Sequence, residues 1–219
     1  MTGPGGGAAV MQIPPGQDAS FSFKTLKLGL YVYYCATPSV PYRISSGMYG
    51  MILVEPEGGL PEVDREFYVM KGEIYIAQAF GEPGVAEFDH EKHLAEQPTY
   101  FIFNGTAGAL ASDEHALCAE VGETVRIFFG VGGPNFISSF HIIGEIFDKV
   151  YDDGSISNTS SLDVQTTLVP PGGATIAELE LEYSGRYILV DHALSRLEKG
   201  LAGFLYVEGE ADPAIFNGG

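Results

Sequence analysis

The chain has 219 residues, a length that allows one large domain or two smaller ones, each with a buried core. Hydrophobic residues make up 45% of the chain and charged residues 18%, a balance that excludes intrinsic disorder. The 29 acidic residues outnumber the 11 basic ones and give a net charge of −18, which argues against nucleic acid and anionic lipid as partners. No apolar run approaches the roughly 18 residues of a membrane span, and residues 1–7 contain no signal peptide pattern, so neither feature is predicted.

Short segments rich in Val, Ile, Phe and Tyr are separated by turns that draw on 29 glycines and 13 prolines. This pattern is typical of an all-β protein made of many short strands. Residues 20–24 and 177–182 show the clearest period of two, with one apolar and one polar face. A single helix is predicted at residues 89–96, with Asp89 as its N-cap. The predicted strands are residues 19–25, 28–34, 48–55, 66–76, 100–104, 124–130, 136–143, 165–169, 175–181, 186–190 and 203–208.

Two parts of the sequence repeat at a nearly constant distance. The Pro-Pro-Gly motif at 14–16 returns 156 residues later at 170–172, and segment 47–55 returns as segment 200–208 at an offset of 153. We therefore predict two successive β-sandwiches of one type. By the same offset the opening half of the first copy would fall before residue 1, so the first sandwich is expected to be incomplete. The predicted divisions are 1–57 for the C-terminal half of the first sandwich, 58–96 for an interdomain connection, 97–210 for the second sandwich and 211–219 for a tail.

Cys35 and Met48 flank one loop between two predicted strands. A thiolate and a weak axial thioether, completed by two imidazoles, are the ligands of a blue-copper site. The alternative for the same two residues is an ordinary buried cysteine and a core methionine, which composition alone favours.

Longer motifs around this loop carry a resemblance to a known family. Segments 31–38 and 46–56 are similar to copper-containing nitrite reductases, and the likeness continues through segments 59–69, 103–105, 138–148 and 190–192. The resemblance implies tandem cupredoxin-like Greek-key sandwiches and the one-electron reduction of nitrite to nitric oxide in denitrification. It also implies type 1 and type 2 copper, an electron-donor cytochrome or cupredoxin, a homotrimer and a periplasmic location.

The functional positions of that family carry over only where the residues match. Cys35 falls at the type 1 copper thiolate, and Met48 falls at its axial ligand. His141 falls at the histidine that supplies protons to nitrite, a role that suits imidazole because its pKa lies near neutrality. His192 falls at the type 2 copper ligand that the second domain lends to a neighbouring subunit. The remaining histidine ligands and the catalytic aspartate of the family would lie before residue 1.

Two ligand positions are substituted in this chain. Tyr34 stands where the family has a type 2 histidine, and Arg43 stands where it has a type 1 histidine. A guanidinium has no lone pair for a metal, and a phenol with a pKa near 10 is a poor ligand at neutral pH. We therefore expect doubtful copper occupancy and an inactive or strongly impaired nitrite reductase. The alternative is a non-catalytic, copper-poor cupredoxin-like protein with an interaction or structural role.

Other candidate residues carry weaker signals. His90 and His93 lie three apart on the predicted helix and are expected to be a solvated surface pair. His115 is predicted to lie in a loop, and Cys118 is predicted to be a small buried hydrophobic residue. The glycines at 130–133 are followed by no predicted helix, so a phosphate-binding loop is excluded.

Overall fold

The computed structural model describes residues 12–217 of the chain. Within that range the chain forms thirteen strands and two short α-helices, so the prediction of an all-β protein is confirmed. No helix in the same range is long and apolar enough to cross a membrane. The elements are β1 (Gly29–Tyr34), α1 (Val40–Ser45), β2 (Tyr49–Val54), β3 (Arg65–Ile74), α2 (His90–Leu94), β4 (Tyr100–Phe103), β5 (Leu117–Glu120), β6 (Thr124–Val131), β7 (Ser138–Ile143), β8 (Phe147–Tyr151), β9 (Ser161–Val164), β10 (Thr167–Val169), β11 (Ala174–Glu180), β12 (Gly185–Asp191) and β13 (Gly203–Glu208).

Two of the three sheets enclose the main hydrophobic core. A five-stranded sheet in the order β10-β7-β12-β13-β5 faces a six-stranded sheet in the order β4-β3-β6-β11-β8-β9. The alternation of β6 builds this core, because Val125, Ile127 and Phe129 point to the same face and are fully buried. Phe140 of β7 stacks on Phe129 with ring centroids 4.0 Å apart. The core thereby fixes β7, the strand that carries His141.

The third sheet is the β1–β2 hairpin, which packs on the outer face of the six-stranded sheet. Leu30 of β1 forms a second core cluster with Tyr151 and Ile176, and Met51 of β2 packs against it. The six-stranded sheet is therefore covered on both faces. The docked hairpin places the loop between its strands at the end of this sheet.

Bare glycine backbone lets the hairpin approach closely. A Cβ on Gly132 would collide with the ring of Tyr49, and one on Gly72 would collide with the hydroxyl of the same tyrosine. A Cβ on Gly130 would lie 2.5 Å from the sulfur of Met51. The absence of a side chain at each of these three glycines is thus a condition for β2 to dock.

Residues 58–96 include more structure than a connection needs. β3 runs parallel to β6 from Arg65 to Lys71 and antiparallel to β4, so this segment supplies a central strand of the six-stranded sheet. The predicted helix at 89–96 is confirmed as α2, and the Asp89 carboxylate accepts a hydrogen bond from the Lys92 N–H at 2.8 Å. The division of the chain into domains stays a prediction.

Several expectations about individual segments are wrong. Residues 19–25 form no strand, although they alternate, because no neighbouring strand in the described part of the chain offers them a hydrogen-bond ladder. Helix α1 was not predicted, and a proline lies in its first turn. Strands β5, β8 and β9 were also missed. Cys118 is exposed because it falls on the outward face of β5. The predicted first division begins at 1–11, outside the described residues, and the predicted tail ends outside them at 218–219.

Candidate functional site

Main-chain hydrogen bonds bring Cys35 and Met48 together. The Cys35 N–H donates to the Met48 carbonyl at 3.0 Å, directly beyond the last register pair of the hairpin. The Met48 N–H donates to the Arg43 carbonyl at 3.0 Å, and α1 fills the loop between them. Cys35 is a half-buried free thiol, and Met48 is exposed. The predicted pair therefore shares one loop, with Arg43 between them.

The surroundings of Cys35 favour its thiolate. Hydrogen bonds to the side chain and backbone of Thr37 lower the pKa of the Cys35 thiol. Burial opposes this effect in part, and the nearby Arg43 charge adds the smallest contribution in the lowering direction. The Arg43 guanidinium lies 5.8 Å from the centre of the Tyr42 ring. Its Nε is shielded from solvent and has no hydrogen-bond partner among the described residues. A cation therefore already lies near the thiol, held on the protein itself.

Tyr34 lies on the side of the hairpin that faces the six-stranded sheet. Its hydroxyl donates to the Val131 carbonyl at 3.3 Å. Burial raises the pKa of Tyr34 to about 12, and the charge of Glu73 adds to the increase. The phenol is therefore neutral at physiological pH. It lines a cavity of about 340 Å³ together with His93 and Asn135.

His141 and His192 lie side by side at the edge of the sandwich. Their ring centroids are 5.4 Å apart, with an angle of 44° between the ring planes. His141 is buried, and its Nδ1 lies 2.7 Å from the Gln165 carbonyl. Because a carbonyl only accepts, Nδ1 carries a proton and donates it to this bond. His192 is exposed, and its main-chain N–H donates to the Ser139 carbonyl at 2.8 Å.

A buried ion pair beside His192 was missed at the level of sequence. Asp191 is only 1% exposed, and its carboxylate pairs with the Arg196 guanidinium. The other carboxylate oxygen accepts the N–H groups of Ser139 at 3.3 Å and Ala193 at 3.1 Å. The sequence did contain a signal for this ion pair. Asp191 directly follows the apolar residues Leu189 and Val190, and a carboxylate that is buried with them needs a partner.

The remaining candidates do not assemble a site. His93 is buried against Tyr75 and Phe88, so the expectation of a solvated pair with His90 is wrong for this residue. Burial lowers the pKa of His93, and the neighbouring His90 lowers it further. His115 lies in a turn, as predicted. In residues 12–217 no three His, Cys, Asp or Glu side chains lie close enough together to hold a metal ion.

The donors around Cys35 do not fit a copper centre. Type 1 copper needs two imidazoles in addition to a thiolate and a thioether, whereas Arg43 presents a guanidinium with no lone pair. Tyr34 presents a neutral phenol, which is a poor copper ligand at physiological pH. The pair of His141 and His192 offers two imidazoles. The Nδ1 atom of His141 is already hydrogen-bonded to the Gln165 carbonyl and is not free to bind a metal.

Comparison with known proteins gives a consistent family. No protein-family model matches the sequence. The copper-containing nitrite reductase of Neisseria meningitidis serogroup A is 51% identical over 215 residues, which are 98% of this chain and 55% of that protein. The copper-containing nitrite reductase of Alcaligenes xylosoxydans xylosoxydans is 32% identical over 96% of this chain and 68% of its own length.

Solved structures agree with the sequence relatives. A copper nitrite reductase from Nitrosomonas europaea superimposes with a TM-score of 0.78 at 29% identity, over 92% of this chain and 70% of that one. A multicopper oxidase superimposes with a TM-score of 0.72 at 25% identity, over 90% of this chain and 62% of its own. The chain spans little more than half the length of the Neisseria relative. On sequence, coverage and fold together, the chain belongs to the copper-containing nitrite reductase family.

Proposed function

We propose that this chain is a copper-poor member of its family that does not reduce nitrite by itself. The observation that carries the proposal is the position of Arg43, which occupies the Cys35–Met48 loop where an imidazole would have to lie. Because a guanidinium offers no lone pair, Cys35 and Met48 provide at most a soft, two-point Cu(I) site. Two points do not fix the geometry that a reversible electron-transfer centre needs.

The Arg43 charge also replaces part of what a metal would supply electrostatically. It lies close enough to the Cys35 thiol to help lower its pKa. The loop therefore carries a fixed cation beside a thiol without a metal. This supports an interaction or structural role for the hairpin rather than electron transfer.

A second candidate is the reaction implied by the family name, the one-electron reduction of nitrite to nitric oxide. The retained pair of His141 and His192 favours it, since the structure holds these two imidazoles side by side. We expect this activity only where copper finds further imidazole ligands, because the described residues do not bring together a set that could hold a metal ion. Under this second candidate, nitrite, copper, a donor cytochrome or cupredoxin, a homotrimer and a periplasmic location would apply to the assembled protein.

The test is a metal analysis and a visible spectrum of the chain purified from copper-supplemented medium. We expect a colourless protein with well under one copper per chain and no consumption of nitrite when a chemical electron donor is added. A Cys35→Ser variant is the control, because copper that persists in it is bound elsewhere. Intense thiolate-to-copper absorption with copper near two per chain would overturn the proposal.

Replacing Tyr34 and Arg43 by histidine tests the same proposal by adding imidazoles. The double variant Tyr34→His and Arg43→His gives the loop one new imidazole beside Cys35 and Met48, and one new imidazole at position 34. We expect it to stay without an intense absorption band, because a type 1 site needs two imidazoles and the double variant adds only one to the Cys35–Met48 loop. A blue or green double variant would mean that a second imidazole reaches this loop and would contradict the proposal.

A further inference from the structure

The segment 135–139 leads into β7 and is held along its length by buried charges. On one side, the Glu73 carboxylate accepts the Phe136 N–H at 2.8 Å and the Asn135 N–H at 3.2 Å. The Lys71 ammonium donates to the Phe136 carbonyl at 2.7 Å and pairs with Glu73 at 2.7 Å. The side chains of this ion pair are fully buried.

The second ion pair holds the next residues of the same segment. Arg196 donates to the Ile137 carbonyl at 2.7 Å and pairs with Asp191. Asp191 in turn accepts the Ser139 N–H at 3.3 Å. Of the five residues 135–139, four thus have a main-chain group bonded to one of two buried ion pairs.

Two aromatic rings join the ion pairs into one cluster. The Lys71 ammonium lies 5.1 Å from the Phe101 centroid, and the Arg196 guanidinium lies 4.9 Å from it. The same two cations lie 5.8 Å and 5.1 Å from the Phe136 centroid. Because both cations share both rings, movement of either ion pair is transmitted to Phe136.

Both histidines are connected to the held segment through Ser139. His141 is two residues beyond Ser139 on β7, and the His192 N–H donates to the Ser139 carbonyl at 2.8 Å. The register places Val190 opposite His141 and Asp191 opposite Phe140. A shift of the 135–139 segment would therefore change the position of one ring relative to the other.

Stability alone is a poor reason for two buried ion pairs. The desolvation of two charges offsets most of their attraction, and apolar residues of similar size often stabilise such a site equally well. Hydrogen bonds to successive peptide groups fix the position of the backbone along the strand axis. Apolar packing cannot do this, because it has no preferred direction. We propose that Lys71–Glu73 and Asp191–Arg196 are positioning residues that hold His141 and His192 beside one another.

The inference concerns the geometry of the histidine pair and holds whether or not the chain reduces nitrite. Its test is nuclear magnetic resonance of the full chain, following the contact between the ring protons of His141 and His192 and the tautomer of His141. The informative variant is the double replacement Lys71→Met with Glu73→Leu, which removes the charges but keeps the volume. We expect it to remain folded, with the ring-to-ring contact at least halved in intensity.

The control is Arg65→Met with Glu123→Leu, which removes an ion pair of 2.6 Å that has no bond to the 135–139 segment. We expect the histidine signals of this control to match those of the wild type. An intact ring contact and an unchanged His141 tautomer in the folded Lys71→Met/Glu73→Leu variant would overturn the proposal.

A second arm replaces Arg196 by Lys, which keeps the charge but cannot bond to Asp191 and the Ile137 carbonyl in the same planar geometry. We expect an intermediate loss of ring contact. If the apolar variant does not fold, hydrogen exchange in the wild type decides the matter. Amides of Phe136 and Ser139 as protected as those of residues 140–143 of β7 support the proposal, and fast exchange at both contradicts it.

Discussion

Two polar side chains near the Cys35–Met48 loop, Arg43 and Tyr34, differ in whether they have a hydrogen-bond partner. The Arg43 Nε is shielded from water without a hydrogen bond, a condition that typically costs about 1–3 kcal/mol. Tyr34 avoids a similar cost by donating to the Val131 carbonyl. The difference suggests that position 34 is better adapted to its present residue than position 43.

Glu145 provides a prediction about pH at the same scale. Burial raises the pKa of its carboxyl from about 4.5 to about 7, with further increases from Glu182 and Asp148, while contact with Tyr187 opposes the shift. The folded chain therefore binds this proton more tightly than the unfolded chain. The resulting destabilisation is absent below pH 4.5, grows as the pH rises and is complete above pH 7.

We accordingly expect Glu145→Gln to raise the free energy of unfolding at pH 8 and to change it much less at pH 5. Urea denaturation at both values measures the difference. Glu114→Gln serves as a comparison, because it removes a charge of the same sign at an exposed position that does not act on Glu145. An equal effect of Glu145→Gln at the two pH values would contradict the assignment.

Among the elements, the β1–β2 hairpin depends most on glycines in the sheet against which it packs. An isolated two-stranded sheet is marginal in water, so this hairpin is stabilised by packing on the six-stranded sheet. The packing requires close approach at Gly72, Gly130 and Gly132. Each of these glycines lies in or directly after a strand of the sheet rather than in a distant loop.

Gly132→Ala therefore tests hairpin docking. Its Cβ would overlap the Tyr49 ring, and overpacking of this kind costs roughly 1–3 kcal/mol. We expect faster hydrogen exchange and faster proteolysis within residues 29–54, with little change in β7 or β12. Gly132→Ala combined with Tyr49→Ala should recover part of the protection, because the second change removes the ring. Uniform loss of protection across the whole chain would show that the hairpin is not a separate unit.

The elements also show what periodicity predicts and where it stops. β2 and β13 were predicted almost to the residue because each is an apolar run with clear ends. Glu55 and Pro56 follow β2, and Gly209 follows β13. Residues 19–25 alternate equally well but form no strand, since alternation describes a face and not the partner that a ladder needs. β5 and β9 have four residues each, too few for a period of two to stand out.

The sequence motifs name the members of the candidate site, whose roles stay predictions, but they do not name the residues that support it. Main-chain hydrogen bonds join Cys35 to Met48, and the rings of His141 and His192 lie 5.4 Å apart, a contact that the sequence did not predict. Lys71 and Glu73 were not identified, although a buried lysine is rare. On the sequence they look like the polar positions of an ordinary strand. Their burial depends on tertiary structure, because Lys71 lies between β6 and β4, and Glu73 lies opposite Phe101 of β4.

The molecule as a whole combines a strongly acidic surface with one apolar face. The net charge is −18, which favours solubility through mutual repulsion. The outer face of the hairpin nevertheless exposes Tyr33 at 57%, Tyr31 at 41% and the neighbouring Leu26 at 64%. Apolar side chains grouped in this way differ from the scattered ones that any protein surface carries.

We expect this face to bind a hydrophobic dye such as anilinonaphthalene sulfonate. The double variant Tyr31→Ser and Tyr33→Ser should lower the dye fluorescence by at least half while changing the free energy of unfolding by about 0.5 kcal/mol or less, as exposed substitutions usually do. Leu168→Ser, at a single position 62% exposed on β10, is the matched control and should leave the fluorescence nearly unchanged. Equal dye binding in all three proteins would show that the hairpin face is not the dye site.

The closure of the Cys35–Met48 loop has a consequence for how such a protein can change over evolutionary time. Both bonds that close it join main-chain atoms, so its shape does not depend on which side chains it displays. Ligand residues can then be lost one at a time by drift while the loop persists. For the same reason the fold of this loop can persist when its side chains change, and laboratory redesign can exchange them without first rebuilding the backbone.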